Sequence, residues 1–142
     1  GCALSGRGGA AARLLSFCAG GRAKALAFAD LYETEVFAHD IAPKRMVDLP
    51  ERAARAGVSI TTVTTAQLAE LKRFDVVFCD APCSGSGTWR RTPQAKWALT
   101  QTRLNAFQEM QKEALSDAAK QAERVLAYAT CSVLACNTTF EC

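Results

Sequence analysis

The chain has 142 residues, 49% hydrophobic and 22% charged, the balance of one compact globular domain and not of a disordered, collagen-like or coiled-coil chain. Seventeen Lys and Arg against fourteen Asp and Glu leave a net charge of +3, which permits an anionic partner without specifying one. No apolar run approaches the roughly 20 residues that span a bilayer, and the first residues lack a signal peptide's apolar core and cleavage pattern, so a cytoplasmic protein with no membrane partner is expected.

In chain order, residues 13–17 (RLLSF) form a short apolar run that ends in Cys18-Ala19-Gly20-Gly21, and 24–31 (KALAFADL) has helical composition. This reads as strand, glycine turn, helix. A second strand is expected at 35–39 (EVFAH), closed by Asp40, followed by a helix over 44–56 with Pro50 as a local kink and Gly57 as its stop. Residues 58–63 (VSITTV) are rich in β-branched side chains and predict a third strand, and 66–71 a short helix. Residues 74–79 (FDVVFC) are almost continuously apolar, as a strand buried on both faces should be. Residues 80–91 (DAPCSGSGTWRR) read as a loop, because Pro and two Gly cannot continue regular structure. A helix over 100–122, with Leu104, Phe107, Met110, Ala114, Leu115 and Ala118 on its apolar face, precedes a fifth strand at 125–130.

Strands alternating with helices imply right-handed β-α-β units and an α/β, doubly wound parallel sheet of Rossmann-like type, in which ligands lie beyond the carboxyl ends of the strands. The unusual residues fall at those ends: Cys18 to Lys24, Asp40, Asp80 to Cys83, and Cys131 with Ser132. A glycine turn after the first strand, with an acid about 20 residues later, suits a nucleotide-bearing ligand, with backbone N–H groups at the turn and Asp40 on ribose hydroxyls.

The seven cysteines include no C-x-x-C pair and their number is odd, so a disulfide framework and a zinc site are both disfavoured and no metal is expected. Most should be reduced, small and buried. His39 reads as structural. Arg90, Arg91 and Lys96 beside Trp89 and Trp97 fit a solvated cluster over packed aromatics, or equally a grip on phosphates and a base.

The string Asp80-Ala81-Pro82-Cys83-Ser84-Gly85-Ser86-Gly87, with the later Thr130-Cys131-Ser132, resembles the fourth and sixth motifs of the NOL/NOP/sun (Fmu-type) family of S-adenosylmethionine-dependent RNA cytosine-5 methyltransferases. Phe17 to Gly21 with Lys24 looks like a variant of that family's first motif, and Asp40 matches its ribose-binding acid. The resemblance runs from about Arg13 to Leu134 and is greatest to the branch that modifies bacterial ribosomal RNA. It implies a catalytic domain over 1–142, S-adenosylmethionine as cofactor and an RNA partner. It assigns Cys131 as nucleophile, Cys83 to product release and Asp80 to a place between cofactor and base. Cys18, Ala19, Gly20, Gly21, Lys24, Asp40 and Asp80 are its cofactor-binding residues.

The chain departs from the family where two glycines usually precede the first-motif Lys and Arg22 and Ala23 stand instead. Ser16 replaces an acid in the first strand, and Thr64 stands where an acid usually faces adenine. The usual Pro-Gly-Gly turn before the fifth strand is missing, and Asn137 alone remains of a Glu-Asn pair. Starting at Gly1 and ending at Cys142, the sequence reads as a partial domain, truncated after the fifth strand and without the family's N-terminal RNA-binding region. Three functions stay open: an RNA cytosine-5 methyltransferase, a truncated or degenerate relative that keeps the fold without activity, and a methyltransferase with another acceptor such as DNA. Oligomeric state is not specified.

Overall fold

The computed structural model describes residues 12–20, 23–31 and 34–132. Five parallel strands, β1 (Arg13–Phe17), β2 (Glu35–His39), β3 (Ile60–Thr62), β4 (Phe74–Asp80) and β5 (Ala122–Ala129), form one sheet in the order β3-β2-β1-β4-β5. The order reverses direction between β1 and β4, so the α/β, doubly wound, Rossmann-like architecture stands. Helices α1 (Ala23–Leu31) and α2 (Leu49–Ala56) pack on one face; α3 (Thr65–Glu70) and α5 (Gln101–Gln121) cover the other.

Pattern explains most of this. Leu15, Phe17, Val77 and Cys79 alternate toward the face carrying Leu68 of α3 and Ala118 of α5, while Ala38 meets Met46 and Leu49 on the opposite side. β4 runs between β1 and β5, which is why its sequence is apolar at nearly every position. Of its two acids, Asp75 near the start of the strand accepts the backbone N–H of Arg13 at 2.9 Å, and Asp80 closes the strand.

Four boundaries differ from expectation. The helix expected over 44–56 is a 3-10 turn, Pro43–Met46, followed by α2; Pro50 does not kink α2 but sits in its first turn, where a missing N–H costs nothing. β3 is three residues long, because Val58 is taken up by the helix end: Gly57 turns left-handed (φ 69°) and the Gly57 and Val58 N–H groups bond the carbonyls of Ala54 and Ala53. Past the expected loop, Gln94–Trp97 forms a single-turn helix, α4. β5 begins at Ala122, without a connecting turn, because pairing of Ala122 with Phe74 draws the chain directly from helix into sheet.

Candidate active site

The first strand ends in a tight turn. Cys18 adopts φ 59°, the one non-glycine left-handed residue among those described, and Gly20 follows at φ 52°. This backbone is held across the sheet: the Ala19 N–H donates to the His39 carbonyl at 2.9 Å and the Gly20 N–H to Asp40 Oδ2 at 2.9 Å. Asp40, 3% exposed, also accepts the Ala42 N–H on Oδ1 at 2.8 Å, so one buried carboxylate ties the two strand ends together. Gly21 and Arg22 lie outside the described residues.

Asp80 ends β4, 5% exposed, and its Oδ1 lies 2.7 Å from Lys24 Nζ on α1. A buried carboxylate is costly unless charge-paired, and this ammonium pairs it. The chain then turns through Pro82, whose carbonyl accepts Gln111 Nε2 at 2.9 Å. Gln111, 2% exposed on α5, is a site residue that sequence reasoning missed, although a polar side chain inside an apolar helical stripe was the available signal.

Cys83 and Cys131, 48 residues apart in sequence, come together with their sulfurs 2.8 Å apart and no disulfide between them. Pairing of Asp80 with Ala129 sets β4 and β5 in register, and the Gly87 N–H donates to the Cys131 carbonyl at 2.9 Å. Ser132 Oγ bridges Ser84 at 3.1 Å and Ser86 at 3.0 Å, stitching the two loops together. Burial pushes the Cys83 thiol up, but hydrogen bonds from the Cys131 thiol, the Thr130 hydroxyl and the Gly85 and Cys131 backbone outweigh it and leave Cys83 below the ordinary thiol value. A second thiol pair lies deeper. Cys18 is lowered chiefly by a hydrogen bond from Cys79, and Cys79 is raised by the same contact and by burial.

A cavity of about 770 Å³ opens at the carboxyl ends of the strands, with Cys18, Gly20, Asp40, Asp80 and Cys83 in its wall. Its far side is α5, where Phe107, Met110 and Ala114 line it together with Glu113 and Asp117. Part of the helical stripe expected as core therefore faces the cavity, and Met110 is 41% exposed. His39 stacks on Phe17 (centroids 4.9 Å apart) and its Nε2 lies 3.0 Å from Thr65 Oγ1. Thr64 does not line the cavity: it caps α3 in a reciprocal box with Gln67, and Thr65 takes the wall position. A smaller recess at Met46, Pro50 and Val63 has neither acid nor thiol.

The sequence profile of the 16S rRNA methyltransferase RsmB/F family matches residues 8–140. The chain belongs to that family. It is 30% identical over 130 residues to the ribosomal RNA small subunit methyltransferase B of Photorhabdus laumondii, a match covering 86% of this chain and 30% of the relative. The Salmonella arizonae protein of the same name is 31% identical over 109 residues, 72% of this chain and 25% of its own. The chain thus spans about a third or less of these curated relatives. Among solved structures, PH0851 superposes with a TM-score of 0.80 at 26% identity, covering 89% of this chain and 31% of its own. NSun6 from Pyrococcus horikoshii, solved with SFG, gives 0.76 at 25% identity, covering 89% and 34%.

Relative to the RsmB/F pattern, both motif cysteines and the motif acid converge in space, whereas the altered first-motif glycines fall at Arg22, outside the described residues, and at Ala23, where α1 begins. Ser16 is buried in β1. The basic cluster is exposed: Trp97 is 84% accessible, with Lys96 Nζ 5.8 Å from its ring centroid, while Trp89 is partly covered. Among the described residues no three potential metal ligands cluster, and no helix is long and apolar enough to cross a membrane.

Proposed function

We propose that the chain carries the catalytic core of a ribosomal RNA cytosine-5 methyltransferase that uses S-adenosylmethionine. The thiol pair carries the reading: two cysteines 2.8 Å apart, of which Cys83 lines a cavity whose wall holds two buried acids. One thiol suffices to open a cytosine ring system to attack; a second beside it suits a reaction that must also release its product. Membership of the RsmB/F family, relatives named for small-subunit ribosomal RNA, and a neighbour solved with SFG, an S-adenosylmethionine analogue, support it.

The residues fit the cofactor. The cavity lies within the roughly 300–1,000 Å³ of small-molecule sites and sits at the topological switch point beside β1. In this reading Cys18, Ala19 and Gly20 supply the close-approach turn, Asp40 faces ribose hydroxyls, and Lys24 and Asp80 border the reacting end. S-adenosylmethionine supplies an electrophilic methyl group on its sulfonium.

The remaining chemistry belongs to the protein. Cys131 passes its proton to the Cys83 sulfur 2.8 Å away and, as thiolate, adds to carbon 6 of cytosine, and the displaced electron pair makes carbon 5 nucleophilic toward the methyl group. A base then takes the carbon 5 proton, the carbon–sulfur bond breaks, and its electron pair returns to Cys131. Asp80, fixed by Lys24, borders the target base, and Cys83 assists release. Arg90, Arg91 and Lys96 hold phosphates, with Trp97 offering a stacking face.

Calorimetric titration with S-adenosylmethionine tests the reading. Binding is expected, and Asp40→Ala should weaken it; absence of binding by the wild-type chain would favour a relative that keeps only the fold.

A further inference from the structure

We infer that Cys83 and Cys131 form an oxidative modification site, a dithiol that a hydroperoxide closes to an intramolecular disulfide. The geometry is already near the product. Their sulfurs are 2.8 Å apart, against about 2.05 Å in a disulfide, so less than an ångström of closure is needed. The backbones are held for it: β4 and β5 pair up to Asp80 and Ala129, Gly87 N–H bonds the Cys131 carbonyl, and Ser132 bridges Ser84 and Ser86.

The chemistry balances with one hydroperoxide per pair. The Cys83 thiolate attacks the peroxide oxygen, the O–O bond breaks, and sulfenic acid forms with release of water or an alcohol. The Cys131 thiol then attacks the Cys83 sulfur, the S–O bond breaks, and the sulfenic hydroxyl leaves as water with the thiol's proton. Two electrons pass from the two thiols to the peroxide. The order of attack follows from the hydrogen bonds that lower the Cys83 thiol, since the thiolate is the reactive form, while half-burial of both residues leaves the pair within reach of a small oxidant. The deeper pair, Cys18 and Cys79, differs in this respect: Cys79 is fully buried and its thiol is pushed up.

The disulfide itself does not depend on the proposed methyl transfer; its consequence does, because the closed form leaves no Cys131 thiolate to add to a base. The test therefore reads covalent state and not turnover. The fully reduced chain is treated with one equivalent of hydrogen peroxide, blocked with N-ethylmaleimide, and mapped by mass spectrometry without reduction. The expected result is a loss of two hydrogens and a cross-linked peptide pair joining Cys83 to Cys131, formed on the order of tenfold faster than in the guanidinium-unfolded chain. In Cys131→Ser the same treatment should leave a dimedone-reactive sulfenic acid on Cys83. A Cys83–Cys131 link that forms no faster folded than unfolded, or oxidation that joins Cys18 to Cys79 first, would overturn the inference.

Discussion

Lys24 Nζ and Asp80 Oδ1 meet at 2.7 Å across 56 residues of sequence, joining the first turn of α1 to the end of β4. The Lys24 side chain is 44% exposed while that of Asp80 is 3% exposed, so the cost of breaking the pair falls on the carboxylate. Lys24→Met should destabilise the chain by about 2 kcal/mol, less than a fully buried pair because water reaches the ammonium. The double variant Lys24→Met, Asp80→Asn should recover much of that loss. Urea unfolding of Lys24→Met, Asp80→Asn and the double variant measures the coupling, and a double variant as unstable as the sum of the singles would show that Lys24 does not offset the burial of Asp80.

His39 gives a pH dependence whose sign is fixed. Burial holds its imidazole below the ordinary value of 6.5, with Asp40 and Asp117 opposing the shift. The unfolded chain therefore takes up the proton first as pH falls, and the stability present above about pH 6.5 is lost as pH drops through the folded value. It is the single histidine of the chain. Unfolding midpoints measured between pH 7.5 and about 5.5 should fall toward acid in the wild type and flatten in His39→Gln. An unchanged slope would remove His39 from the account.

Gln111 holds the loop that carries Cys83. Gln111→Leu leaves the half-buried Pro82 carbonyl without its 2.9 Å donor and should cost about 1 kcal/mol. The rate of Cys83 alkylation should change as well, since the loop loses its anchor to α5. Wild-type stability together with wild-type Cys83 reactivity would show that the contact positions nothing.

The sheet was legible because its signals are local. Arg13–Phe17 and Glu35–His39 are bounded by a turn and an acid, and the apolar run at 74–79 announces a strand covered on both faces. The absence of a turn before the fifth strand was legible, but the strand's start at Ala122 and not Val125 was not, because Ala122, Glu123 and Arg124 have no strand propensity and the pairing that begins it, Ala122 with Phe74, is not local. Motif order located Cys83, Cys131, Asp80 and Asp40 at strand ends. The supporting contacts, Lys24 excepted, required three dimensions: Gln111 and Thr65 carry no motif of their own, Ser132 stands in the Thr-Cys-Ser string but its bridge to Ser84 and Ser86 does not show there, and Thr64 reads as a lost acid until its capping box with Gln67 is seen.

A net charge of +3, with one exposed basic cluster at Arg90, Arg91 and Lys96, gives little grip on phosphates. Methylation of ribosomal RNA by this 142-residue chain should therefore be far slower than by a full-length RsmB/F relative, and should fall steeply with salt. Fusion to a relative's RNA-binding region should raise it. A turnover equal to the full-length relative's in a parallel radiolabelled-methyl assay would contradict this.

In the proposed mechanism Cys131 and not Cys83 attacks the base, and an RNA carrying 5-fluorocytosine, incubated with the chain and S-adenosylmethionine, distinguishes the two thiols. Fluorine cannot leave as a proton, so elimination stalls and a covalent adduct stable to denaturing gels should accumulate. The adduct should form with the wild type, persist in Cys83→Ala and vanish in Cys131→Ala. An adduct that survives Cys131→Ala but is lost in Cys83→Ala would contradict the account and make Cys83 the nucleophile.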